Sequence, residues 1–179
     1  MKILKKKVIY KGKYLRAVEK EYLTKTGKRG IWECIERPAG VLIFPLTKNK
    51  EVILEKIFRI PINSYSIELP AGALDRKNEN PKETAKRELL EETGYLAKKL
   101  IPVFKWQLSP WVASSLGILF FAPDVEFVGK KGGEDVEEIE VIKVPLKNLE
   151  KFLLENLKKT KVEISIFGAL AILREKRLI

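Results

Sequence analysis

Short apolar runs separated by turn signals fill the first two thirds of the chain, and the hydrophobic period lengthens to that of a helix near its end. Residues 7–10, 15–23 and 30–37 read as short strands, divided by Lys11-Gly12-Lys13 and by Lys25-Thr26-Gly27-Lys28, both glycine-bearing turns. Two or three antiparallel strands of this length bury no core alone. They have to lie on the main domain or on a partner subunit. Pro38-Ala39-Gly40 marks a boundary, which predicts an N-terminal β-strand subdomain over 1–37 and a main domain over 38–179. In the main domain, residues 41–46 and 51–58 are rich in Val, Ile, Leu and Phe and are joined by Thr47-Lys48-Asn49-Lys50, a hairpin entering the core sheet. Residues 64–69, 99–107, 116–122 and 139–144 are further strand candidates, with Leu108-Ser109-Pro110-Trp111 as a rigid loop and Phe127 and Val128 in a separate short strand beyond Pro123.

Three segments carry the helical period. Over residues 146–157, Leu146, Leu149, Phe152, Leu153 and Leu157 share one face, and residues 164–173 carry a second apolar stripe, introduced by a capping box at Thr160-Lys161-Val162-Glu163. The first helix is the most completely signalled. Asn80 is its N-cap, Pro81 occupies the first position, Glu83 closes a capping box, and Gly94 stops it in the left-handed conformation after Thr93. Its apolar seam is only Ala85 and Leu89, while Arg87 can pair with Glu83 and Glu91, each four residues away.

That narrow seam leaves the rest of the helix to charge. Arg87-Glu88-Leu89-Leu90-Glu91-Glu92-Thr93-Gly94 sets three carboxylates within about two turns. Glu88 and Glu92 share one face at i,i+4, with Glu91 close by at i,i+3. Like charges so placed repel, and a bound cation is the simplest compensation. A second charge-dense stretch, residues 130–138, combines Gly132-Gly133 with Glu134, Asp135, Glu137 and Glu138. Two readings are open for it: a solvated loop, or a mobile loop that closes over a metal-bound substrate. Arg59, after the strand at 51–58, is either a phosphate contact or a solvated strand end.

Composition narrows the chemistry. The 179 residues contain no histidine, which excludes Ser-His-Asp and Cys-His catalysis and any histidine-ligated metal. What remains is carboxylates, lysines, hydroxyls and oxygen-bound metals. Lys plus Arg number 35 against 24 Asp plus Glu, a net charge of +11. This favours polyanionic partners such as nucleotides or nucleic acid, and is equally how heat-adapted proteins build surface ion networks. No apolar run approaches the roughly 18 to 20 residues of a membrane span, and lysines interrupt the apolar region that a signal peptide would need. Cys34 is the single cysteine. A cytoplasmic protein with no membrane partner is expected.

Glu79, seven residues, and Arg87-Glu88-Leu89-Leu90-Glu91-Glu92-Thr93-Gly94-Tyr95 resemble the Nudix box of the Nudix hydrolases, G-x5-E-x7-R-E-U-x-E-E-x-G-U with U a bulky apolar residue. Here six residues separate Gly72 from Glu79, one more than the pattern, which is read as a loop insertion. The resemblance implies an α/β fold, a Nudix-type α/β/α sandwich with a mixed sheet preceded here by the small antiparallel β-subdomain. It also implies hydrolysis of a nucleoside diphosphate linked to another moiety, with Mg2+ or Mn2+. Glu88, Glu91 and Glu92 match the metal-binding positions, and Ala71 matches one whose carbonyl completes the coordination. Gly72, Glu79, Arg87 and Gly94 match positions that brace the motif.

Within the family, Glu68-Leu69-Pro70-Ala71-Gly72 is similar to the ELPAG segment of the ADP-ribose pyrophosphatase group, and Pro110 lies 15 residues after Tyr95, near that group's marker proline. The likeness implies hydrolysis of ADP-ribose to AMP and ribose 5-phosphate by a homodimer that exchanges its N-terminal strands. Trp32 and Glu33 then contact the adenine ring, with Trp32 stacking on it. Arg59 matches the arginine of the group's Q-x-R segment, whose glutamine is Ile57 here. Trp111 and Ser115 stand where the group has glycine and an acidic residue, which keeps another nucleoside diphosphate sugar in view. The loop at 134–139 resembles the group's acidic loop, with Glu137, then Asp135 and Glu134, as the carboxylate that orients water, and Glu91 beside them. RNA binding or 5'-end processing is the alternative that the +11 charge suggests.

Overall fold

The structure, a computed structural model, describes residues 1–76, 78–129 and 138–179. Glu134, Asp135 and Glu137 lie outside the described residues. The chain divides into two compact units, one formed by Met1–Gly40 with Lys105–Gly117, the other by Val41–Phe104 with Ile118–Ile179.

The first unit is built on a three-stranded antiparallel sheet in the order β1 (Lys2–Lys11), β2 (Arg16–Leu23), β3 (Arg29–Glu36). β2 and β3 pair without a slip from Arg16 opposite Glu36 to Leu23 opposite Arg29, whereas the β1 to β2 ladder shifts register between Ile3 and Lys5 and between Val8 and Tyr10. β1 is longer than its apolar centre suggests, because hydrogen bonding to β2 extends it through the flanking lysines. The second segment of this unit docks through Ala113, which bridges to Ile35 in parallel, with the Ile35 N–H donating to the Val112 carbonyl at 2.7 Å. Strand periodicity gave no reason to bring residues 105–117 to these strands.

The second unit is an α/β/α sandwich on a mixed sheet. Its strands are β4 (Gly40–Thr47), β5 (Glu51–Arg59), β6 (Ser64–Glu68) and β7 (Ala71–Ala73), followed by helix α1 (Pro81–Thr93). Then come β8 (Tyr95–Leu96), β9 (Ile101–Gln107), β10 (Leu116–Phe127), β11 (Ile139–Pro145), α2 (Leu149–Asn156), β12 (Lys161–Val162) and α3 (Ser165–Glu175). The sheet order is β12-β6-β5-β4-β10-β8, with β11 on β5, β7 on β4 and β9 on β10. β5 to β6 and β5 to β11 are antiparallel, and β12 joins β6 in parallel. α1 packs on β7 and β8, and α2 on β11 and β12. β4 is buried along its whole length, as its unbroken apolar run requires for a central strand. Among the described residues, no helix is long and apolar enough to cross a membrane.

Three local expectations are corrected. β10 runs unbroken through Pro123, where two strands were expected. Asp124 takes a left-handed φ of 53° beside it, so the proline is absorbed at an irregularity rather than ending the strand. Residues 160–163 form no capping box: Lys161 and Val162 pair with Ser66 and Ile67, and the Thr160 hydroxyl donates to the Tyr65 carbonyl. The α3 start is closed by the Glu163 carboxylate, which accepts from the Ser165 N–H at 2.9 Å. The helix expected over 146–157 begins as a single 3-10 turn at Leu146–Asn148 and becomes α-helical only from Leu149.

Candidate active site

α1 is held where the sequence places it. The Asn80 side chain accepts from the Lys82 N–H at 2.9 Å, Pro81 occupies the first position, and Gly94 at φ 76° returns its N–H to the Leu90 carbonyl. Ala85 and Leu89 are fully buried and fix the roll of the helix. Glu83 pairs with Lys86 at 3.0 Å. Arg87 therefore does not bridge to Glu83, but donates to Glu91 at 2.8 Å, Glu88 at 2.8 Å and Glu79 at 3.3 Å. One guanidinium thus gathers three carboxylates, two from its own helix and one from the preceding loop. Burial works against ionisation of Glu79, but hydrogen bonds from Thr84 and Arg87 outweigh it and hold this carboxyl below the ordinary value. Glu88 moves the other way, because burial raises it more than Arg87 lowers it.

Gly72 shapes the same corner. A Cβ there would stand 2.2 Å from the Glu88 Cγ and 2.3 Å from its carboxyl carbon, so the absent side chain is the room in which Glu88 lies. One residue earlier, the Ala71 N–H donates to the Glu92 carboxylate at 3.1 Å. Ala71, Gly72, Glu79, Arg87, Glu88, Glu91 and Glu92 are thus brought to one corner of the second unit.

Sequence reasoning missed Glu55. This residue lies mid-strand in β5, is 1% exposed and neighbours Glu92. Burial first, then the neighbouring Glu55 and Glu88 charges, push the Glu92 carboxyl up to about 10. The signal was present as a single carboxylate inside the otherwise apolar run Val52-Ile53-Leu54-Glu55-Lys56-Ile57-Phe58. Its register partner is Glu68, which Arg59 grips with two nitrogens at 2.8 and 3.1 Å. Arg59 is therefore engaged with an acidic neighbour rather than standing as a solvated strand end.

The donor set of Glu88, Glu91 and Glu92 is all oxygen, which fits a hard divalent cation. Among the described residues, no three carboxylates already converge as a ligand cluster. The contacts explain this: Glu88 and Glu91 are drawn to Arg87, and Glu92 is turned to Ala71 and Glu55. Binding a cation would exchange part of the Arg87 pairing for coordination.

The first unit holds a cavity of about 520 Å³, lined largely by apolar groups and including Trp32, Tyr22, Cys34, Lys20, Pro110 and Trp111. The Trp32 indole N–H donates to the Trp111 carbonyl at 3.1 Å. Trp32, Pro110 and Trp111 are thereby brought together. Glu33, the next residue along β3, is exposed and pairs in register with Glu19, so alternation turns it to the opposite face from Trp32. Ser115 is buried in the same unit.

Residues 36–164 match the NUDIX domain family. The ADP-ribose pyrophosphatase of Bacillus subtilis is 34% identical over 148 residues, spanning 82% of this chain and 80% of that protein. The GDP-mannose pyrophosphatase of Yersinia pestis is 34% identical over 131 residues, 67% of this chain and 64% of that one. Among solved structures, an ADP compounds hydrolase superposes with a TM-score of 0.82 over 97% of this chain and 92% of its own at 24% identity, a likeness of fold.

Proposed function

Because the chain belongs to the Nudix hydrolase family, we propose that it hydrolyses the pyrophosphate bond of ADP-ribose to AMP and ribose 5-phosphate, with Mg2+ or Mn2+ as cofactor. The observation that carries the reading is the corner where Gly72 makes room for Glu88 and Arg87 gathers Glu79, Glu88 and Glu91 beside Glu92. Glu88, Glu91 and Glu92, with the Ala71 carbonyl, would hold the cation. A divalent ion there supplies neutralisation of the pyrophosphate charge and polarisation of water for in-line attack on phosphorus. Arg87 and Glu79 keep the glutamates spaced when the site is empty. With no histidine in the chain, a carboxylate takes the proton of the attacking water, Glu137 first and then Asp135 or Glu134. Trp32 stacks on the adenine ring, with Pro110 and Trp111 as further contacts, whereas Glu33, expected there from the sequence, faces away from Trp32; Arg59 reaches a phosphate once it leaves Glu68. The working form is a cytoplasmic homodimer joined through the N-terminal strands, with residues 1–37 as the dimerisation subdomain and 38–179 as the hydrolase domain.

A second reading, hydrolysis of another nucleoside diphosphate sugar, is favoured by Trp111 and Ser115, which depart from the ADP-ribose pattern, and by the likeness to a GDP-mannose pyrophosphatase. Both are tested by incubating the protein and Mg2+ with ADP-ribose, ADP-glucose, GDP-mannose, dinucleoside polyphosphates and 5'-triphosphorylated RNA. AMP released fastest from ADP-ribose is the expected result. Preferred cleavage of GDP-mannose or ADP-glucose moves the substrate to the second reading, and processing or mere binding of RNA overturns both.

A further inference from the structure

The cavity of the first unit has two aromatic side chains on one face of its sheet. Trp32 pairs in register with Lys20 and Gly30 with Tyr22, and residues two apart on a strand share a face. A Cβ at Gly30 would stand 2.5 Å from the Tyr22 ring, so that ring lies across β3 in the space a side chain would take. The Trp32 indole N–H is engaged by the Trp111 carbonyl, which leaves the tryptophan its ring surface to offer. Stacking on such a surface accepts any base, so discrimination has to come from polar groups. Lys20 and Gln107 are the long polar side chains of the lining. An ammonium only donates, whereas the glutamine amide holds donor and acceptor in one plane. Adenine presents its 6-amino donor next to a ring-nitrogen acceptor, a pair that an amide answers with two hydrogen bonds. Local structure aims that amide. A Cβ at Gly117 would stand 2.9 Å from the Trp106 ring, which places Trp106 on one side of β9, and strand alternation sends Gln107 to the other. The Leu108 N–H then donates to the Ser115 carbonyl at 3.1 Å, closing the loop that carries Pro110 and Trp111. Gln107 is exposed, and its amide has no hydrogen-bond partner among the described residues.

We propose that Gln107 is the specificity-determining residue for adenine: its carbonyl oxygen accepts from the 6-amino group, and its amino group donates to the neighbouring ring nitrogen, of a base stacked on Trp32. The inference rests on the ADP-ribose reading given above. The base takes no part in the reaction at phosphorus, so this contact serves substrate and transition state alike, and its loss raises KM rather than lowering kcat.

The test compares, in the full chain with Mg2+, hydrolysis of ADP-ribose with that of the analogue whose base lacks the 6-amino group. In the unaltered protein the analogue is expected to lose about tenfold or more in kcat/KM, carried by KM. Gln107→Leu keeps the length of the side chain but removes the amide. It should bring ADP-ribose down to the level of the analogue, so that the two substrates differ by about twofold or less, with kcat and the thermal midpoint unchanged. Should that variant not fold, Gln107→Ala serves the same comparison. A substrate ratio in the folded variant that stays near that of the unaltered protein overturns the proposal. So does a ratio that collapses in Lys20→Met instead, which would give the reading of the base to the ammonium, and so does an unaltered protein that cleaves both substrates equally well. In these three outcomes ADP-ribose is still cleaved and the proposed activity stands. If the unaltered protein releases no AMP from ADP-ribose, the activity and the role of Gln107 fall together.

Discussion

Gly72 and Glu88 occupy one space between them, and this makes a glycine substitution a test of the site rather than of the fold. The atoms that a Cβ at position 72 would meet are the Cγ, carboxyl carbon and Oε1 of Glu88, the outer part of a flexible side chain. Gly72→Ala should therefore push Glu88 aside at a stability cost of about 1 kcal/mol or less. If Glu88 holds the cation as proposed, displacing it by an ångström or more should lower turnover by about a hundredfold. Steady-state kinetics beside a urea melt check the pair of outcomes, and a large loss of stability with normal turnover would contradict it. Glu92 offers a second test through pH. Its carboxyl rises from an ordinary 4.5 to about 10 in the folded chain without metal, chiefly by burial, and Glu88 shifts upward too. The folded state thus binds more protons than the unfolded one between those values. The stabilising contribution is complete at acid pH and is lost as pH rises through the folded value. In EDTA the thermal midpoint should fall from about pH 5 to about pH 9, with a shallower slope in Glu92→Gln and recovery when Mg2+ is added. Glu92→Gln should also cut turnover by orders of magnitude while remaining folded, as an ellipticity spectrum would show.

At the scale of elements, α1 is stabilised by local signals and the site by long-range ones, so the two can be separated. Asn80 caps the first turn, while Glu88, Glu91 and Glu92 lie in the later turns. Asn80→Ala should cost about 1 kcal/mol in a denaturant titration and leave KM and kcat near their original values. The same division explains what was legible in the sequence. The limits of α1 at Pro81 and Thr93 were readable because Asn80, Pro81 and Gly94 act on their own backbone within a few residues. Arg87 was misread at one end for a related reason. Helical spacing offered Glu83, but Lys86 is closer to it, and Glu79 arrives from a loop whose path no periodicity describes. Glu55 was illegible as a partner of Glu92 because their contact joins strand to helix across 37 positions of sequence. The two-residue strand β12 was hidden because its pairing with Ser66 and Ile67 lies in the fold and not in its own composition.

The largest scale is the exposed N-terminal sheet. Every residue of β1 is exposed, including Ile3, Val8, Ile9 and Tyr10, each between 44% and 59%. Lysines at 2, 5, 6, 7 and 11 of the same strand guard its open edge against unspecific pairing. Apolar side chains among such lysines favour one specific cover rather than aggregation, and a second copy of the chain is the cover consistent with the proposed dimer. Light scattering at micromolar concentration should give about twice the 20.6 kDa of the single chain. Ile9 is the position at which to break the pairing. It falls where the β1 to β2 register shifts between Val8 and Tyr10, so its side chain can be changed without removing a ladder partner. Ile9→Glu should bring the mass down toward 20.6 kDa with the β-sheet ellipticity retained. A charge placed in the middle of an apolar contact between copies is costly to bury, whereas on a surface facing only water it would change nothing. A doubled mass that survives the substitution would move the interface away from β1, and a single-chain mass in the unaltered protein would remove the dimer altogether.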